Sequence, residues 1–226
     1  TLVQPSGITA TISPKTLTIG GTTVAANKVY DGTTTATITG GTLVGVVTAD
    51  AALVSLVQAG SFTQTGVGTA INVTISDSLS GIAAANYVLT QPTGVRANIT
   101  ARTLTVTGTV VADKVYNGST TATISGGALV GVISADVANV VLTQAGSFAS
   151  ANAANGIAVT MSNSISGSAS SNYTLTQPTG ITGNITPAPL GITVSAVYSG
   201  FTTITPSSFA VTGLLNSETI TGLSSV

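Results

Sequence analysis

Lys28, Asp50 and Asn86 recur in register as Lys114, Asp136 and Asn172, and Asn98 recurs as Asn184. A lysine, an acid and an asparagine are the residue types of an intramolecular Lys–Asn isopeptide bond. Such a bond needs the lysine and the acid buried together, which recurrence in a duplicated sequence does not establish. Asp50 and Asp136 are also the recurring acids that could ligate calcium. That ion takes six or more oxygens, usually from several carboxylates, and no Asp-x-Asp-x-Asp run supplies them. Tyr30, Tyr116 and Tyr198 each stand before a strand and could stack on a sugar. One tyrosine per repeat with no second aromatic makes no cage, so the sequence predicts buried corner tyrosines whose hydroxyls cap a loop, with Lys28 and Lys114 lying alongside.

The remaining inventory narrows the chemistry further. The chain has no His and no Cys, which removes imidazole bases, thiol nucleophiles, thiolate or imidazole metal sites and disulfides together. Its charged side chains are six acids and five bases: Asp31, Asp50, Asp77, Asp113, Asp136 and Glu218 against Lys15, Lys28, Arg96, Arg102 and Lys114. No catalytic, cofactor or metal site is expected, and an enzyme is the reading ranked last. A net charge of −1 offers no basic patch to nucleic acid or to an anionic membrane surface. With 5% charged residues a membrane span is worth testing, but Thr, Ser, Gly and Asn interrupt every apolar run before the ~18 residues a spanning helix needs. At 4% aromatics there are no girdles for a transmembrane barrel, while 43% hydrophobic residues argue against disorder. Asn72, Asn98, Asn117, Asn172 and Asn184 fit Asn-x-Ser/Thr, a pattern that arises by composition in so Thr-rich a chain.

The elements that must position these residues belong to a tandem repeat. Residues 28–100 and 114–186 align without a gap at an offset of 86, and 44 of the 73 positions are identical. Thr1 to Ile8 matches Thr174 to Ile181, so residues 1–13 read as the tail of a preceding repeat. Residues 14–100 and 101–186 read as two complete repeats, and 187–226 as the start of a divergent one in which Val197-Tyr198-Ser199-Gly200 replaces Val115-Tyr116-Asn117-Gly118. Within a unit, Ile71, Val73 and Ile75 alternate with polar residues, as do Leu104 and Val106, and glycine turns separate the runs. Six to eight short strands per unit predict an all-β fold: tandem β-sandwich-like domains of about 86 residues, set in a rod by junctions of only four residues. A short helical turn is expected at Thr48–Val57 and Ser134–Leu142, entered at Asp50 and Asp136 as N-caps.

Lys28-Val29-Tyr30-Asp31-Gly32-Thr33, followed by a Thr-rich strand, resembles the signature of the YDG repeat, which occurs in tandem in haemagglutinin-like and filamentous adhesin proteins of bacteria. Asn117 replaces the signature Asp in the second copy while Tyr116 and Gly118 stay, which keeps the turn chemistry. Residues 187–226, with Phe209 to Leu214 and Asn216 to Ile220, resemble the start of an MBG-type repeat. The resemblance implies export to the cell surface and a stalk or spacer role with no active site. Partners would be neighbouring repeats or, in a fibre, other copies of the protein. Alternatives are a filament subunit joined through sheet edges, since few charges guard them, and a glycan-binding adhesive module.

Overall fold

A computed structural model describes residues 3–4, 6–198, 200, 208–215 and 217–220. The sequence matches that rest on Thr1, Leu2, Pro5, Ser199 and Asn216 lie outside them. The chain is all-β, with only three-residue 3₁₀ turns between strands among the described residues. It forms two compact units. One holds Thr1–Arg102 with Ile133–Val137 and Ser171–Thr174; the other holds Thr103–Val132, Ala138–Ser170 and Leu175–Val226. Two short pieces of the second sequence copy therefore fold with the first.

In the first unit a three-stranded sheet places Lys15–Ala25 between Ile38–Val44, antiparallel, and Tyr87–Leu89, parallel. A five-stranded sheet runs Lys28–Val29, Arg96–Thr100, Gly68–Ile75, Gly60–Phe62, Thr35–Ala36. Alternation does what it predicts: Ile71, Val73 and Ile75 are buried and the residues between them are exposed. Leu17 is fully buried in a cluster with Val54, Ala83 and Tyr87.

The second unit repeats the plan. Lys114–Val115, Thr182–Thr186, Ala154–Met161 and Gly146–Phe148 form the matching sheet, over a core of Phe148, Val159, Met161 and Ile185. Leu17 matches Leu104 at an offset of 87, whereas Lys28 matches Lys114 at 86. The odd residue is absorbed by a bulge between Gly20 and Thr23, where the strand pairing shifts register. Without it, the second copy breaks the strand into Arg102–Thr107 and Val110–Val111.

One turn in each copy demands glycine. Gly81 has φ +106°, and a Cβ there would lie 2.2 Å from the Leu53 carbonyl oxygen; Gly167 has φ +107° and the same conflict with Asn139 at 2.3 Å. The close approach lets the Ala83 N–H donate to Leu53 and the Ala169 N–H donate to Asn139.

Asp77 and Asn163 do one job with two chemistries. Each is buried, accepts from the backbone N–H of Ala59 or Ala145, and is clasped by Gln91 or Gln177. The other oxygen of Asp77 has no hydrogen-bond partner. The amide nitrogen of Asn163 is likewise without a partner. Asp77→Asn should still keep the fold and raise its stability by about 1 kcal/mol, because an unpaired buried amide costs less than an unpaired buried carboxylate. Denaturant unfolding of the two proteins checks this; a loss of stability would show that the charge is needed.

The last segment is sparse. Gly191–Ser195 pairs antiparallel with Ser208–Thr212, and almost every residue of the hairpin is exposed.

Candidate functional site

The signature builds a turn that aims a tyrosine. Asp31 Oδ1 accepts from the Thr33 backbone N–H (2.8 Å) and hydroxyl (2.9 Å), and Gly32 takes φ +77°. Lys28 Nζ pairs with Asp31 at 2.7 Å and donates to the Thr33 and Thr35 carbonyls. In the second copy Asn117 Oδ1 accepts the same two bonds from Ser119, Gly118 has φ +71°, and Lys114 donates to the Ser119 and Thr121 carbonyls. The Asp-to-Asn change thus removes the ion pair and leaves the turn. Each lysine ammonium sits 5.8 Å over a phenylalanine ring, Phe62 or Phe148.

The tyrosines and the recurring acids meet. Tyr30 is buried and its hydroxyl donates to Asp136 Oδ2 at 2.8 Å; Tyr173, also buried, donates to the same oxygen at 2.7 Å. The two rings pack edge to face with centroids 5.5 Å apart. Asp136 belongs by sequence to the second copy, yet all three residues lie in the first compact unit. Asp136 is itself buried, so the two phenols replace the water it has lost. The Asp31–Gly32 turn follows Tyr30 in, with the Cβ position of Gly32 only 2.6 Å from Ile133 Cδ1. Asn172 Oδ1 accepts from the Val67 N–H and ties down the neighbouring loop.

Tyr87 repeats half of this arrangement, donating to Asp50 Oδ2 at 2.7 Å. The hydroxyls of Tyr87 and Tyr173 also accept the backbone N–H of Val47 and Ile133. The loop-capping role expected of Tyr30 thus belongs to this second pair. In the other unit Tyr116 donates to Glu218, at the wall of a cavity of about 330 Å³ that also touches Pro187 and Leu190.

Several sequence expectations change in consequence. Tyr116 is half-buried rather than buried like Tyr30, since a single acid faces it and no second tyrosine packs on its ring. Tyr198 is 93% exposed, because the hairpin beside it offers no core to enter. Asp50 and Asp136 close their 3₁₀ turns instead of opening them; the N-caps are Val47 and Ile133, and the carboxylates turn to phenols. The isopeptide groups are not brought together. The lysines bind their own turns and the acids bind tyrosines, while Asn98 and Asn184 hold a bulge by accepting from the N–H of Ala70 and Gly156. The Asp–Tyr pairs were missed in the sequence. Their signal is the shared 37-residue spacing of Asp50 to Tyr87 and Asp136 to Tyr173.

Burial, with the bond to Asp136, pushes the Tyr30 phenol from 10.0 up to about 12. Tyr173 is raised by burial, and Tyr87 and Tyr116 by their bonds to Asp50 and Glu218. A phenol whose folded value lies above its unfolded one stabilises fully below the unfolded value and loses that contribution as the pH climbs to the folded value. Tyr30 therefore predicts constant stability up to about pH 10 and a fall between pH 10 and 12. Unfolding followed by circular dichroism across that range, with phenolate absorbance as the titration signal, checks it; Tyr30→Phe should flatten the slope.

Among the described residues no helix is long and apolar enough to cross a membrane. The family model of the YDG domain matches residues 13–94 and 100–180, in two tandem copies. The chain belongs to the YDG domain family. Neither the curated proteins nor the solved structures compared with it gave a match.

Proposed function

We propose that these YDG copies are structural spacers in the stalk of a large secreted bacterial surface adhesin or extracellular fibre, with no catalysis of their own. One observation carries the reading: the residues with most chemical potential are engaged in building and joining copies. Asp31 and Asn117 hold turns, the lysines brace them, and Asp136 takes a tyrosine from each of two sequence copies. The last segment is read as the opening of an MBG-type repeat, a further spacer of the same kind. The test is to delete residues 101–186 from the full-length protein on its native cell. Reach and surface display should shorten while any adhesion measured with purified protein stays the same. Loss of ligand binding by the purified deletion protein would favour an adhesive module instead.

A second reading, lateral association into a fibre, is favoured by aliphatic residues left about half exposed at matching positions of both copies: Val24 and Val110, Val29 and Val115, Val44 and Val130. Sedimentation of the whole chain at rising concentration separates the two, since spacers stay monomeric and fibre subunits do not.

A further inference from the structure

The acid at Asp136 is filled and the equivalent acid at Asp50 is not. Asp136 receives Tyr30 from 106 residues upstream as well as its own Tyr173, whereas among the described residues Asp50 receives only its own Tyr87. The surrounding residues differ in the same sense. Ile133 and Asn172 are half-buried, while their counterparts Val47 and Asn86 are exposed; Asp136 is buried and Asp50 half-buried. Asn86 lines an open cleft of about 130 Å³ with Ile12, Ser13 and Pro14. Tyr116 shows that the pattern extends, because its hydroxyl also finds an acid, Glu218, 102 residues further on. Tyr30 and Tyr116 thus each meet a carboxylate supplied by a later segment of the chain.

The geometry points to Asp50, Tyr87, Val47 and Asn86 as a docking socket for the Tyr-Asp-Gly or Tyr-Asn-Gly turn of a YDG copy that precedes them in the same chain. The occupant is identified by the filled example, in which the same turn sits on the same residue types. Residues 8–12 agree. Ile8 and Ile12 are 78% and 96% exposed, yet their sequence equivalents Ile181 and Ile185 are packed into a core, Ile185 at 1% exposure. The equivalent residues Thr182–Thr186 form a strand, whereas residues 8–12 are in none, and a preceding copy would supply the sheet they lack. The phenol completes the second acceptor bond of the Asp50 carboxylate, and the turn glycine lets the backbone approach Val47 as Gly32 approaches Ile133. A carboxylate between two tyrosines is then the joint that repeats along the array, and this holds wherever the protein resides.

The test extends the whole chain. Residues 101–173 are placed ahead of Thr1, so that residues 1–13 complete a YDG copy and the added tyrosine is a second Tyr116. Amide hydrogen exchange over residues 47–51 should slow by at least about tenfold relative to the present chain and approach that of 133–137. Tyr→Phe at the added tyrosine should restore the original rate at 47–51 and leave 133–137 untouched. A second extension, with residues 1–14 replaced by a further copy of 14–101, presents Tyr30 instead and should behave alike. Unchanged exchange at 47–51 in both extended chains overturns the proposal, as does slowing that survives the Phe substitution in both.

Discussion

Asp136→Ala should lower the unfolding free energy of the first compact unit by roughly 3 kcal/mol, the largest effect expected of any polar substitution in the chain. The carboxylate is buried and one of its oxygens accepts from two phenols that are themselves buried, at 2.8 and 2.7 Å. Truncation leaves both hydroxyl protons without an acceptor, at about 1–3 kcal/mol for each unsatisfied buried donor, offset in part because an acid no longer has to be desolvated. Asp136→Asn keeps the shape and one acceptor and should cost roughly half as much. Asp50→Ala removes an acid that holds one phenol and is half-exposed, so about 1 kcal/mol is expected there. Chemical denaturation of the three proteins gives the ranking, and an Asp136→Ala cost no larger than that of Asp50→Ala would contradict the two-phenol account.

Leu17→Ala should cost about 3–4 kcal/mol through loss of transfer free energy and the cavity left behind. Leu17 has no exposed surface and sits in the cluster of Val54, Ala83 and Tyr87, with Leu43, Val46, Leu79 and Leu89 around it. The site can collapse little, because Gly81 fixes the turn above Val54 and Tyr87 is pinned through its hydroxyl at both Val47 and Asp50. Ile12→Ala is the matched control: at 96% exposure it should change stability by less than about 0.5 kcal/mol. Thermal unfolding of the two variants separates them, and equal shifts in midpoint would mean that Leu17 does not anchor the core.

The strands were legible because a buried face imposes a period of two, which Ile71, Val73 and Ile75 display without interruption. The turns were legible because Asp, Asn and Gly at 31, 32, 117 and 118 do local chemistry within three residues. Asp50 and Asp136 were not, since their partners are decided by packing over 37 and 106 residues and no local pattern reports it. An N-cap was the reading that neighbouring residues allowed. Duplication also masked the signal: shared positions recur whether or not they touch. The divergence between copies holds more information. Asp50 and Tyr87 persist as Asp136 and Tyr173 while Val47, Ala51 and Leu53 beside them become Ile133, Val137 and Asn139. Exchange of two short pieces into the first unit was likewise invisible, because the repeat boundaries follow the ancestry of the sequence and the compact units follow burial.

The spacer reading makes length its central quantity. The measurement is the contour length, by electron microscopy, of the full-length native protein against versions with one, two and three YDG copies removed. A spacer of docked copies predicts that each deletion shortens the molecule by the same increment. End-to-end distances that shrink only as the square root of copy number would describe a flexible string, and a length that does not change would mean that the copies form a compact body. Either result would contradict the account.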